Sequence, residues 1–373
     1  MPRVAILHDY LTQYGGAELV LKELCGMWPE ADLFTTFHDP ARMRCLGFQV
    51  PNRIRPLLPG GLPHHGRAAK LWTFVYPLAW RRLNLDKYDL VISSTSFAAH
   101  HARVAAGVPH ISYCHSPPRF LYGLTTELNH ARMRRRFPLL GLAYGALRGL
   151  DRRAARRVTV YVANSREVAA RIADIYGRTA EVIYPPVDLA RFASATPWRG
   201  EYFLTWGRLV ASKRVDLLVR AAALANVPLV VAGAGPEEQR LRRLAGSTVR
   251  FVGRVSDQAR LELIEGCRAV LFAAEEDFGL VPVEAMAAGK PVIAYGAAGA
   301  LETVVSGITG EFFRPATAEA LVPLLAGWED NRYRVECCRE RAARFDAALF
   351  RARIRALAEN CLAATIASRP TIR

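Results

Sequence analysis

Residues 275–291 read Glu-Glu-Asp-Phe-Gly-Leu-Val-Pro-Val-Glu-Ala-Met-Ala-Ala-Gly-Lys-Pro, and Glu276 and Glu284 stand eight positions apart in them. Pro282 suits the first turn of a helix that begins near Leu280 or Val281. Glu276 then falls in the turn before the helix, and Glu284 about one turn inside it. Between them, the backbone N–H groups of Gly279, Leu280 and Val281 lie at a helix N-terminus, where they are free to meet an anion. Gly279, next to Phe278, lets the backbone come close to a phosphate. One carboxylate can then hydrogen-bond sugar hydroxyls and the other a ribose, on either side of a diphosphate. The plainer alternative is an acidic turn that complements the helix dipole.

A second pair is cationic. Arg208 and Lys213 follow the apolar run Tyr202–Trp206, across a loop opened by Gly207. Arg offers a fork and Lys a point charge, and both can reach one diphosphate. Solvated surface charge is the competing reading for any arginine in a chain with 50 Lys/Arg. It competes less well for Lys213, because the lysines are only Lys22, Lys70, Lys87, Lys213 and Lys290. No Asp-x-Asp-like metal motif stands out, so no metal is expected.

Other candidates end apolar runs. His115 closes His110–Cys114 and is followed by the stiff Ser116-Pro117-Pro118. Gly15-Gly16 precedes a helical pattern over 17–28 and is either a phosphate-facing turn or merely a tight one. Gly233-Ala234-Gly235-Pro236 suggests a dinucleotide fingerprint, but the third glycine position holds Glu238. It reads as a structural turn. Arg254 and Val255 close the run that starts at Val249. His64, His65, His100 and His101 are expected in loops or at strand ends, without partners.

These residues must be positioned by the elements they terminate. Strands are expected at Val4–Leu7, Tyr88–Ser94, His110–Cys114, Val158–Ala163 and Glu181–Tyr184. A second series runs Tyr202–Trp206, Pro228–Ala232, Val249–Val252, Ala269–Ala273 and Pro291–Ala294. Residues 51–66, rich in Pro, Gly and His, read as a loop, and 185–197 as a linker. Short apolar runs alternating with amphipathic helices predict an α/β fold, with parallel sheets covered by helices on both faces. The expected division is a Rossmann-like domain over 1–185, another over 186–345, and a terminal helical stretch, 346–373, packing back toward the first. In such sheets ligands sit beyond the carboxyl ends of the strands.

Composition limits the classes. At 373 residues, 51% hydrophobic and 23% charged, the chain is not disordered, collagen-like or disulfide-stapled. Its net charge of +16 is uneven: residues 1–187 carry 25 Lys/Arg against 13 Asp/Glu, and residues 188–373 carry 25 against 21. An anionic partner follows: nucleic acid, an acidic membrane surface or a phosphorylated substrate. Nine arginines lie between Arg132 and Arg157 with one acid, Asp151, and residues 70–82 mix aromatics with cations. That pattern fits an interfacial surface on anionic lipid, a nucleic-acid surface, or a solvated face. Seven cysteines without C-x-x-C spacing fit reduced thiols in a cytoplasmic compartment. No signal-peptide pattern and no run long enough to span a bilayer are evident.

The segment EDFGLVPVE followed by AMAAGKPVIA strongly resembles the retaining GT-B glycosyltransferases of family 4. The resemblance covers essentially the whole chain: HDYLTQYGGAE, YCHSPPRF, VANS and YPPVDLARF in the first half, and WGRLVASKRVDLLVRA in the second. Within the family it looks closest to bacterial O-antigen and exopolysaccharide mannosyltransferases. It implies two Rossmann-like domains facing a central cleft, the first binding acceptor and the second the nucleotide sugar. It also implies that Arg208 and Lys213 neutralise the leaving nucleoside diphosphate, and that Glu276 and Glu284 hold sugar and ribose. His115 is expected to contact the donor sugar near its reacting carbon. Gly15 and Gly16 would turn N–H groups toward the phosphate, and Arg254 and Val255 would offer backbone groups to the nucleobase.

The implied reaction is α-mannosyl transfer from GDP-mannose to a polyprenyl-diphosphate-linked oligosaccharide, without metal, on the cytoplasmic face of the inner membrane. Nucleic acid is not an expected partner. A UDP-sugar donor, a sugar-nucleotide epimerase on the same fold, and a non-catalytic basic peripheral protein are the alternatives.

Overall fold

The computed structural model describes residues 2–59, 73–124, 138–196 and 200–367. The chain forms two units, Met1–Pro186 with Ala348–Arg373, and Val187–Ala347. Arg132, Arg134, Arg135, Arg136, Lys70, Trp72, His64, His65 and Pro197 lie outside the described residues.

Among its described residues the first unit has seven strands: β1 (Val4–His8), β2 (Asp32–Thr35), β3 (Ile54–Pro56), β4 (Leu90–Thr95), β5 (His110–Cys114), β6 (Val160–Ala163) and β7 (Ala180–Val182). Their order is β3-β2-β1-β4-β5-β6-β7, and every neighbouring pair is parallel. β1 shows why these strands read as unbroken apolar runs. Val4 and Ile6 enter one core with Val20, Leu21 and Leu24, while Ala5 and Leu7 enter the other with Trp80 and Phe97. A sheet covered on both faces needs apolar side chains at every position, not at alternate ones.

β2 and β3 are absent from the expected strands, and β3 lies inside the stretch read as a loop. Only three residues long and ending in a proline, it carries no apolar alternation. As the edge strand it can accept Pro56, because among the described residues nothing pairs on its outer side. The Arg55 guanidinium ties it to β2 through Asp32 at 2.8 Å.

The second unit has six parallel strands: β8 (Tyr202–Trp206), β9 (Leu229–Ala232), β10 (Val249–Gly253), β11 (Cys267–Phe272), β12 (Val292–Tyr295) and β13 (Gly310–Phe313), in the order β10-β9-β8-β11-β12-β13. β13 is again a short strand that the sequence did not suggest. One core gathers Phe203, Leu218, Val231, Leu271, Ile293 and Phe313.

The stretch read as a linker is in part folded. Leu189–Phe192 forms a 3-10 turn with Phe192 buried, and Val187 pairs its N–H with the carbonyl of Phe345 at 3.0 Å. The terminal helix runs Ala347–Ala367. Phe350, Ile354, Ala358 and Cys361 recur at helical spacing and enter the first unit's core, with Phe350 edge-on to Tyr113 at 5.7 Å. Arg351 and Arg353 pair with Glu23 and Glu181 at 2.7 and 2.8 Å. All seven cysteines are free. No described helix is long and apolar enough to cross a membrane.

Both strand orders reverse direction once, between β1 and β4 and between β8 and β11. In open α/β sheets the crevice at such a reversal, beyond the carboxyl ends, is where ligands bind.

Candidate active site

In the second unit the reversal is flanked by the loops after β8 and β11. Gly207 leaves β8 at φ +140°, with its N–H bonded to the Ala232 carbonyl at 3.0 Å. A Cβ on Gly233 would lie 1.9 Å from the Gly207 carbonyl oxygen, and one on Gly235 2.3 Å from that of Leu209. This pair therefore serves backbone packing, which lets the β8 loop lie flat over β9. Arg208 is exposed on that loop. Lys213 ends a 3-10 turn, Ala211–Lys213, and forms a close ion pair with Glu276 from the β11 loop. Neighbouring strands thus bring together two residues 63 positions apart.

The β11 loop is braced from behind. The N–H of Gly299 donates to the Glu276 carbonyl at 2.9 Å, and a Cβ on Gly299 would lie 2.2 Å from the Phe278 carbonyl oxygen. Phe278 is buried edge-on against Phe345 at 5.4 Å. Its ring therefore anchors the turn, whose backbone carries the expected donor contacts at Phe278 and Gly279. Gly279 caps the helix Leu280–Ala287 at φ +84°, a left-handed conformation that favours glycine. Leu280 and Val281 open the first turn, whose N–H groups have no intrahelical acceptor.

Glu284 lies inside that helix and partly buried. Burial pushes its carboxyl above the ordinary carboxylate range, while Arg260, Arg191 and a hydrogen bond from the Trp206 indole hold it down. Arg191 and Arg260 both pair with Asp257. Trp206, Arg191 and Arg260 were missed in the sequence. Trp206 is the last residue of β8 and could have been found by inspecting every polar group at a strand end. Arg191 was hidden by reading its segment as a linker. Arg254 is exposed after β10, and Val255 part-buried. β9 separates their strand from β8.

In the first unit a polar chain crosses the carboxyl ends of β1, β4 and β5. His115 Nε2 lies 2.8 Å from Ser94 Oγ, and Ser94 Oγ 3.2 Å from His8 Nδ1. His8 Nε2 stands 3.6 Å from Glu18 Oε1, whose other oxygen accepts the Gly15 N–H at 2.7 Å. Burial, and then the neighbouring His8, push the His115 imidazole down to about 3, against the opposing Asp9. It is neutral at physiological pH. The Asn164 amide donates to the His115 carbonyl at 3.0 Å and fixes the turn. Asp9 accepts four backbone N–H groups, Ser96 through Ala99, at 2.6 to 2.9 Å.

The Gly15 N–H, expected to face a phosphate, is taken by Glu18. Gly16 is the member of the pair that opens the helix Gly16–Met27. His100 and His101 are not solitary. Both are buried, 3.0 and 3.3 Å from Asp151 Oδ1.

Two family models divide nearly the whole chain between them. Glycosyltransferase Family 4 matches residues 14–191 and Glycosyl transferases group 1 matches residues 187–345. The chain is a glycosyltransferase. The human alpha-1,3/1,6-mannosyltransferase ALG2 is 24% identical to this glycosyltransferase over 366 residues, 84% of each chain. The D-inositol 3-phosphate glycosyltransferase 2 of Catenulispora acidiphila is 32% identical over 222 residues, 49% of this chain and 52% of that one. The crystal structure of Anabaena Alr3699/HepE in complex with UDP superposes with a TM-score of 0.71 at 19% identity, over 96% of this chain and 100% of that one. The glycosyltransferase therefore has the GT-B fold: two α/β units, each on a parallel sheet.

Proposed function

We propose that this glycosyltransferase moves an α-mannosyl residue from GDP-mannose to a hydroxyl of a lipid-linked oligosaccharide, with retention of configuration. The observation that carries the donor site is the convergence of Arg208, Lys213, Glu276 and a helix N-terminus at the β8/β11 reversal. Mannosyl transfer is supported by the alpha-1,3/1,6-mannosyltransferase relatives, and the lipid-linked acceptor by the motifs quoted above. In this reading Arg208 and Lys213 meet the charge that develops on the departing diphosphate, and the N–H groups of Leu280 and Val281 add dipoles aimed at it. The diphosphate takes the proton of the incoming hydroxyl, so the protein supplies electrostatics and position rather than a nucleophile. Glu276 exchanges its contact with Lys213 for sugar hydroxyls. Glu284, held by Trp206 and the two arginines, receives the ribose, and backbone at Arg254 and Val255 meets the base. His115, neutral and fixed by Ser94, contacts the transferred sugar, and Gly16 turns its N–H toward the phosphate. No metal takes part.

The acceptor belongs to cell-surface polysaccharide assembly, and the basic first half faces the anionic cytoplasmic leaflet of the inner membrane. A UDP-sugar donor is the second reading, favoured by the HepE complexes with UDP and UDP-glucose. Thermal denaturation with each nucleotide sugar separates them. Ligand at 100 times its Kd stabilises by about 2.7 kcal/mol. GDP-mannose should raise Tm at concentrations where UDP-glucose does not, and the reverse order would replace the guanine assignment with uracil.

A further inference from the structure

The connections leading into three adjacent strands of the first unit each deliver arginine. Arg81 ends the helix Tyr76–Arg81 ahead of β4. Arg103 follows the 3-10 turn Ala99–His101 ahead of β5. Arg153 and Arg157 stand at and just beyond the end of the helix Pro138–Ala155, ahead of β6. Because β4, β5 and β6 are neighbours, these residues gather toward the amino ends of the strands. Gly16 and His115 lie at the other edge, so the arginines belong to a different place.

There Arg81, Arg153 and Arg157, with His101, Leu150 and Ala154, line a cavity of about 60 Å³, and Arg103 stands near Arg81. A water needs about 10–15 Å³ of such space, so several waters or one phosphate group fit. Among the described residues, none of Arg81, Arg103, Arg153 and Arg157 has a carboxylate partner. Burial, then Arg103, Arg157 and Arg153, push the Arg81 guanidinium below its ordinary value. The negative ends of two helix dipoles offset only part of this charge.

Asp151 lies beneath, fully buried, but its carboxylate is engaged by His100 and His101 and by the Tyr122 hydroxyl at 2.7 Å. Those two histidines and Asp151 also have spacing that could hold a metal ion. Four cations beside them disfavour a divalent one and favour an anion. Guanidinium forks match the tetrahedral oxygens of phosphate, each fork able to donate two hydrogen bonds.

We propose that this cavity binds a phosphate group, supplied by an anionic lipid headgroup or as the free ion, apart from the nucleotide-sugar site. The test titrates full-length protein with inorganic phosphate by calorimetry at constant ionic strength. In parallel, it is pelleted with vesicles of phosphatidylcholine containing phosphatidic acid or, at matched surface charge, phosphatidylglycerol. Arg153→Ala and Arg157→Ala are the variants. Both side chains are exposed, so folding should persist, and circular dichroism checks this.

Losing one charge-assisted contact should weaken phosphate binding about tenfold or more. Arg153→Lys, which keeps charge but loses the fork, should fall between. Preference for phosphatidic acid, competed by inorganic phosphate and lost in the variants, identifies a lipid phosphate. Phosphate binding without vesicle preference identifies the free ion. No phosphate binding in either arm, or binding unchanged in both alanine variants, overturns the proposal. Stabilisation by nucleotide sugar should be the same in wild type and variants, which keeps this outcome separate from that of the donor assignment.

Discussion

Replacing Lys213 by alanine separates an ion pair that matters little for folding from a cation that matters for the reaction. Its side chain is 29% exposed and that of Glu276 28%. A pair with that much solvent contributes under about 1 kcal/mol to stability. In a chain of this size that is roughly 2–4 °C in Tm or less. In the proposed reaction the same ammonium meets charge on the departing diphosphate that water no longer screens. Loss of one such stabilising group costs roughly 2.7–4 kcal/mol, or about 100- to 1000-fold in rate. The assay is kcat/KM for nucleotide-sugar turnover, with Tm measured on the same preparations. Lys213→Ala should lose turnover by that factor and keep Tm within a few degrees. Glu276→Gln should also lose turnover, but through the sugar, and should leave the affinity for free nucleoside diphosphate unchanged or higher, because Lys213 is released. Turnover within threefold of wild type for Lys213→Ala would remove Lys213 from the diphosphate site, and a Tm fall above about 10 °C would make its ion pair a structural one.

Arg208→Ala, at an exposed loop position, should reduce turnover about 30- to 1000-fold with no change in Tm, measured in the same two assays. Gly279→Ala forces a side chain into φ +84° and sets its Cβ 3.1 Å from the Phe272 ring. It should cost about 1–2 kcal/mol of stability and weaken nucleotide affinity, read by thermal denaturation with and without GDP. His110 is buried and pushed down to about 3, by burial first and then by His100. The unfolded chain therefore binds its proton below about 6.5 while the folded one does not, so stability is full above that pH. As pH falls below about 6.5, stability should drop by roughly 1.4 kcal/mol per unit for this group, seen as a falling Tm.

The sequence made the two-sheet architecture legible because parallel strands buried on both faces leave continuous apolar runs, as at Val4–Leu7 and Ala269–Ala273. It did not reveal β3 or β13, which are edge strands of three and four residues and carry too few side chains to show a pattern. Arg208, Lys213 and Glu276 were visible as polar residues ending apolar runs. The meeting of Lys213 with Glu276 was not visible, because it depends on β8 and β11 being neighbours. The engagement of Gly15 by Glu18, the burial of Phe278 and the pairing of His100 and His101 with Asp151 also depend on contacts that spacing alone does not state.

Turnover of GDP-mannose, labelled in the sugar, with a membrane lipid extract tests donor, acceptor class and stereochemistry together. GDP release should be matched by label in the lipid fraction, unaffected by EDTA, and removable by an α-mannosidase. Transfer abolished by EDTA and restored by magnesium or manganese would contradict the metal-free site. A product resistant to α-mannosidase and released by a β-mannosidase would contradict retention. Label left wholly in GDP-mannose, while a UDP-sugar is consumed, would contradict the donor.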